Sequence, residues 1–179
     1  MENKNIIIIG LGILGILVII LFLLLFYSSP QTSPVVNLEE CRSLQYNGAN
    51  AINLVFFSDK ITTKQYSDFL FTISPFNLYK ESFNIYYIEN YTPKCEFYQN
   101  IAVLCYSKEL IKKASSCPND YIIVLKEESS NIRSSAYMNV MSLNTNHVLT
   151  VFAHEFGHVF ANFAEEYTPA DIPKGSKNC

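Results

Sequence analysis

The chain has 179 residues, a formal net charge of −3 and a hydrophobic content of 49%. Domains commonly run to roughly 100–200 residues, so this length indicates one domain plus an appendage. The sequence contains no run of basic residues, which argues against nucleic acid as a partner.

The appendage is an apolar segment from Ile6 to Tyr27 that contains no charged residue. As a helix, about 22 residues would extend roughly 33 Å, enough to span a hydrocarbon core of about 30 Å. We therefore predict a transmembrane signal-anchor within residues 1–27. The alternative is a cleaved leader peptide with a long apolar core.

The charges that flank this segment predict its orientation. Lys4 precedes it, and no Lys or Arg follows it before Arg42. Because positive flanks stay in the cytoplasm, we expect a single-pass membrane protein with residues 28–179 outside the cytoplasm.

All five cysteines follow the apolar segment: Cys41, Cys95, Cys105, Cys117 and Cys179. An oxidising compartment would favour disulfides, and Cys95 with Cys105 forms a plausible local loop. An odd number leaves at least one thiol free or paired with another chain. Buried free thiols are the alternative interpretation.

After a polar linker at residues 28–37, the pattern predicts a mixed α/β domain with one main sheet over residues 38–179. Its last helix, capped by Asn144 or Asn146, carries the most informative motif. The preceding predicted elements are a strand at Ala51–Phe57, a helix from a Thr62 or Thr63 cap to about Ile73, a strand at Phe83–Ile88, a helix at Lys108–Ala114, a strand at Tyr121–Leu125 and a half-exposed strand at Ala136–Leu143.

The motif is His154-Glu155-Phe156-Gly157-His158. Helical residues four apart lie on one face, so the two imidazoles can bind one tetrahedral Zn²⁺. The glutamate beside the first ligand would act as the general base on the zinc-bound water. Two packed or solvated histidines, or a purely structural zinc, are the alternatives.

A catalytic zinc ion needs a third protein ligand and an open fourth position. Glu165 and Glu166 are the candidates, and we favour Glu165. A continuous helix would carry both away from the metal, so the chain must turn after the motif. Asn162 is the residue that best tolerates the left-handed conformation of such a turn.

The motif, with Ala164-Glu165-Glu166-Tyr167 after it, resembles the immunoglobulin A peptidase family of zinc metallopeptidases. Residues 52–62 and 74–85 are similar to the first strand and to a P-F-x-x-Y stretch of that family. The resemblance implies a metzincin-like upper subdomain with His154 and His158 as zinc ligands, Glu155 as the base and Glu165 at the position of the family's Asp. It also implies that the strand at Ala136–Leu143 is an edge that aligns an extended substrate.

The sequence departs from the family in several places, including residues 129–135, which lack the glycines that precede the family's edge strand. Ala161 and Asn162 stand where the family has glycines, and only twelve residues follow Tyr167. A metzincin-like enzyme has a lower subdomain with a Met-containing turn after its zinc helix, so we expect either a fragment or a reduced relative.

These observations predict a membrane-anchored zinc endopeptidase that acts on an extracytoplasmic peptide or protein. Tyr167 is a candidate for an oxyanion hydrogen bond, although a packed tyrosine is commoner. The alternative is a non-catalytic surface module on a peptidase-like fold. The sequence leaves the substrate, the cleavage preference and the oligomeric state open.

Overall fold

The computed structural model describes residues 16–22, 40–164 and 174–177. The chain divides into two compact units, Met1–Val36 and Asn37–Cys179. In the first unit, residues 16–22 form a helix (α1).

The prediction of a transmembrane helix is wrong for the part of the chain that the structure describes. Spanning a bilayer takes about 20 consecutive apolar residues. Of the predicted segment, only residues 16–22 are described, and no helix among the described residues is long and apolar enough to cross a membrane. The predicted single-pass membrane localisation is corrected with it.

The second unit is built on a six-stranded sheet in the order β1-β3-β2-β6-β8-β7. The four central strands run parallel, and the two outer strands, β1 and β7, are antiparallel to their neighbours. These strands are Arg42–Gln45 (β1), Ile52–Phe57 (β2), Phe83–Tyr87 (β3), Tyr121–Lys126 (β6), Ser135–Tyr137 (β7) and Val140–Asn144 (β8).

A separate two-stranded hairpin, Glu96–Tyr98 (β4) with Ala102–Leu104 (β5), lies beside this sheet. The helices of the unit are Lys60–Leu70 (α2), Lys108–Ala114 (α3) and Thr150–Ala161 (α4), with 3₁₀ turns at Phe76–Leu78 and Lys80–Ser82. Parallel strands covered on both faces are expected to be apolar throughout, and all five residues of β3 are buried.

The alternation of side chains along the strands divides the core into two clusters. One cluster contains Leu54 and Phe56 of β2 and packs against α2 and α4 through Tyr66 and Phe156. The other contains Val55 of β2 and packs against α3. We call these the α4 face and the α3 face of the sheet.

The predicted fold class is therefore corrected to a mixed α/β unit, with no transmembrane element found among the described residues. The three-ligand metal group expected of a zincin-like fold is also not found among the described residues. The main-sheet prediction is confirmed, as are the strands at β2, β3 and β6 and the helix at Lys108–Ala114.

Three local predictions were wrong. The residues expected to form one strand at Ala136–Leu143 form a hairpin, because Met138 adopts a positive φ of 54° and reverses the chain. Asp59, rather than Thr62 or Thr63, caps α2 through its carboxylate. The N-cap of α4 is Leu149, without a side-chain bond, because Asn144 ends β8 and is buried there.

Candidate functional site

Helix α4 carries the motif and is fixed to the sheet by aromatic packing. Phe152 and Phe156 lie one turn apart, and both are at most 1% exposed. The Phe156 ring contacts those of Phe76 and Tyr121 at centroid distances of 5.2 and 5.5 Å. Burial raises the pKa of the Tyr121 hydroxyl, with a smaller contribution from Asp120. The back of the motif helix is therefore held in an apolar environment.

The two motif histidines converge, as their spacing predicted. The Nε2 atoms of His154 and His158 are 3.1 Å apart, and the ring planes are nearly perpendicular. Two nitrogens bound to one tetrahedral Zn²⁺ at about 2.0–2.1 Å would lie about 3.4 Å apart. The observed separation is within a few tenths of an ångström of that value, so the pair fits a shared metal ion.

A backbone contact fixes the tautomer of His158. Its Nδ1 lies 2.7 Å from the carbonyl oxygen of Phe163. A carbonyl only accepts, so Nδ1 carries the proton and donates it, and the lone pair of Nε2 points to His154. Metal-binding histidines commonly make this type of bond to a carbonyl or carboxylate.

The turn that brings Phe163 back to His158 depends on two residues. Asn162 ends the helix in the left-handed conformation, with φ 56° and ψ 41°, which confirms the predicted turn at this position. Gly157 leaves room for the Phe163 ring, because an added Cβ would lie 3.2 Å from its Cδ2 atom. The motif glycine therefore has a packing role that sequence spacing did not reveal.

Glu155 is buried, with 6% of its surface exposed. It follows His154 by about 100° around the helix, so its carboxylate leaves the helix beside the histidine face. Carboxylates are rarely this buried without a partner or a function. Glu155 is not among the residues that line the cleft beside the histidines, so the general-base role predicted for it rests on its place directly after His154 in the sequence.

The predicted third ligand and the oxyanion candidate lie outside the described residues: Glu165, the alternative Glu166, and Tyr167. Within the described ranges, no group of three or more His, Cys, Asp or Glu side chains is arranged to hold a metal ion. The described residues therefore include two of the three predicted ligands and do not by themselves form a three-ligand site.

Both ends of the segment that contains Glu165 lie near the end of α4. Residue 164 is two positions beyond Asn162, and residues 174–177 return to the same place. The Asn162 carbonyl accepts from Lys177 N at 3.1 Å, and the Asn162 amide donates to Gly175 O at 3.3 Å.

A cleft of about 600 Å³ opens beside the histidine pair. One wall is α4 and the turn after it, and the opposite wall is the Ile73–Phe76 loop that follows α2. Sequence reasoning missed this loop as a wall of the site. In the sequence, Pro75 and Phe76 indicated only that a helix ends there. The contact of Phe76 with α4 joins residues far apart in the chain, so the sequence pattern did not predict it.

The remaining histidine, His147, contacts a loop away from the motif histidines. Its Nε2 lies 3.1 Å from the Ser130 carbonyl. Buried Asn144 holds the same loop by donating to the carbonyls of Ser129 and Ile132 at 2.9 and 2.8 Å. This loop leads into β7, the edge strand that packs beside α4. His147 and Asn144 therefore fix the position of the chain where β7 begins.

Two disulfides, Cys41–Cys117 and Cys95–Cys105, cross-link the second unit, and the second confirms the predicted local loop. Disulfides of this kind fit an oxidising compartment. Cys179 lies outside the described residues.

No protein-family model matches this sequence, and no curated protein matches it. The resemblance to the immunoglobulin A peptidase family therefore stays a prediction that is carried by the quoted residues alone.

Proposed function

We propose that the chain is a zinc-dependent endopeptidase in which His154 and His158 bind the metal and Glu155 is the general base. The observation that carries this proposal is the 3.1 Å convergence of the two Nε2 atoms, with the proton of His158 committed to the Phe163 carbonyl. Glu165 is proposed as the third ligand from its place in the sequence.

Peptide hydrolysis is favoured over other zinc chemistry by two further features. The H-E-x-x-H spacing places the acid directly after the first ligand, where it can reach a water on the metal. Strand β7 ends the six-stranded sheet and packs beside α4, and strand β5 contacts its start through the bond from the Ser135 hydroxyl to the Val103 carbonyl. The part of the β7 edge beyond this contact could pair with an extended peptide.

In the proposed reaction, the metal ion and the residues of the chain would have separate roles. Zinc, when bound, lowers the pKa of a water to about 7 and polarises a carbonyl. Glu155 takes a proton from the attacking water and gives it to the leaving amine. The Phe163 carbonyl keeps the His158 ring in one tautomer and one orientation, and β7 aligns the peptide.

The test measures zinc by elemental analysis and hydrolysis of a denatured protein by mass spectrometry, both on the full chain. We expect about one zinc per chain, lost in His154→Ala and weakened in Glu165→Ala. Glu155→Gln should keep the metal and reduce hydrolysis by about 10²–10⁴-fold, the usual contribution of a general base.

Two matched controls keep the result specific. His147→Ala removes a histidine that contacts the Ser130 carbonyl instead of the site, and it should leave zinc content unchanged. Glu166→Ala removes the neighbouring acid and should weaken zinc less than Glu165→Ala does. Full hydrolysis by Glu155→Gln, or no zinc in the parent chain, would overturn the proposal.

A further inference from the structure

The cleft beside the histidine pair has an unusual lining for a polar reaction centre. Among the described lining residues, Ser74 is the only polar one apart from the two histidines, and none of them carries an Asp, Glu, Lys or Arg side chain. The apolar lining comes from both walls: Ile73, Pro75 and Phe76 on the loop, and Phe160 and Phe163 on the α4 side.

The depth of the cleft comes from small residues on one face of α4. Ala153, Gly157 and Ala161 are four residues apart and all line it. Residues at this spacing lie above one another on a helix. Large side chains at these positions would fill the space between the helix and the loop, so the sequence of this helix face creates the opening.

We infer that this cleft binds a large apolar side chain of the substrate, aromatic or leucine-like, next to the bond that is cut. This inference rests on the proposed function, because the histidine pair on the cleft wall identifies where the bond lies. A volume of about 600 Å³ exceeds the size of any single side chain, so even an aromatic ring can enter.

The lining also determines which side chains are rejected. In the metal-free protein, a charged side chain that entered would lose its hydration and find no opposite charge among the described lining residues, which is costly. An aromatic or leucine-like side chain would bury apolar surface instead, which is favourable. The chemistry of the cleft therefore predicts discrimination by polarity.

A binding experiment on the full chain tests the cleft without requiring hydrolysis. Two dye-labelled, capped pentapeptides are compared by fluorescence anisotropy, one with Phe and the other with Asp at the centre of four glycines. A chelator is present, so that the Asp carboxylate cannot bind a metal ion on the histidine pair. We expect the Phe peptide to bind at least tenfold more tightly, within the 10–200-fold range typical of apolar pockets.

A charge placed on the loop wall should reverse this preference. In Ile73→Lys, we expect the Phe peptide to lose at least tenfold in affinity and the Asp peptide to gain. Leu78→Lys is the matched control, because Leu78 is 76% exposed in the 3₁₀ turn that follows this loop and does not line the cleft. Ala161→Leu fills the cleft without adding a charge and should weaken the Phe peptide alone.

The outcomes separate this inference from the proposed function. Binding of the Phe peptide without hydrolysis of any protein would support the cleft and overturn the peptidase proposal. Hydrolysis with no enrichment of Phe, Tyr, Leu or Met beside the cut sites would support the peptidase and overturn the cleft. Equal binding of both peptides by the parent chain would also overturn it, as would an unchanged preference in both Ile73→Lys and Ala161→Leu.

Discussion

The two faces of the central sheet are stabilised in different ways. The α4 face is packed by aromatic rings, including Phe83, Phe152 and Phe156 with their mutual contacts. On the α3 face, mostly aliphatic side chains, with a few aromatic rings such as Phe57, pack with all four cysteines of the two disulfides. The face that carries the candidate site thus depends on non-covalent packing, while the covalent cross-links lie on the opposite side.

This difference means that stability and site geometry should respond to different changes. A cavity on the α4 face should disturb both the free energy of unfolding and the histidine pair. A change on the α3 face should lower stability and leave the histidines in place. The predictions below test that separation, beginning with the largest effect.

Phe156→Ala should lower the free energy of unfolding by about 3–5 kcal/mol, the usual cost of removing a buried Phe. Phe156 is fully buried and lies between the two proposed zinc ligands in the sequence. We also expect weaker zinc binding, because the helix loses its main contact with the sheet. Urea unfolding and zinc titration measure the two effects.

The matched change on the other face is Leu110→Ala, also at a fully buried position. We expect a loss of about 2–4 kcal/mol in the free energy of unfolding, with zinc affinity unchanged. Equal loss of zinc affinity in both variants would show that the faces are not independent.

Removing the Cys41–Cys117 disulfide by a double change to Ser should lower the free energy of unfolding by about 2–4 kcal/mol. The two cysteines are 76 positions apart, so the cross-link restricts a long loop of the unfolded chain. Zinc content under conditions where the variant stays folded should equal that of the parent. The Cys95–Cys105 disulfide closes a loop of only 10 positions, so the same double change at these two cysteines should cost less.

Asn162→Ala should lower the free energy of unfolding by about 1–2 kcal/mol, because alanine has a Cβ that disfavours the left-handed conformation. We also expect weaker zinc binding, since this turn presents the Phe163 carbonyl to His158. Asn162→Gly is the control and should keep both properties, because glycine adopts this conformation readily. Equal behaviour of the two variants would contradict the role of the turn.

The sequence predicted elements well where apolar residues formed short continuous runs. Ile52–Phe57 and Tyr121–Lys126 are such runs, and both became central parallel strands. It failed at Ala136–Leu143, where an alternating pattern continued across a turn without Gly or Pro. Met138 takes a left-handed conformation there, and nothing in a methionine side chain indicates that choice.

The site was predictable in the parts that depend on helical periodicity. His154 and His158 lie on one helix face because they are four residues apart. The turn at Asn162 follows from asparagine's tolerance of positive φ. The roles of Gly157 and of the Ile73–Phe76 loop were not predictable. They depend on which ring folds over the helix and which loop lies opposite it, and both are set by long-range packing.

The smallest expected effect concerns the start of α2, which packs on the α4 face. The Asp59 carboxylate accepts from the backbone of Ile61 and Thr62 and from the Thr62 hydroxyl. The Thr62 side-chain bond is the main reason that the pKa of Asp59 lies below its usual value of 3.8. At neutral pH, Asp59→Ala should lower the free energy of unfolding by about 1 kcal/mol, the typical value for an N-cap.

The pH dependence of this loss identifies its origin. A carboxyl group whose pKa is lower in the folded state stabilises the fold above its unfolded pKa, and the contribution disappears as pH falls through the folded pKa. The gap in unfolding free energy between the parent and Asp59→Ala should therefore narrow below pH 3.8. Asp59→Asn keeps a capping oxygen without the charge. At neutral pH it should therefore lower the free energy of unfolding less than Asp59→Ala does. A gap for Asp59→Ala that stays constant into acid would mean that Asp59 acts through its neutral hydrogen bonds alone, and that charge contributes nothing to the α2 cap.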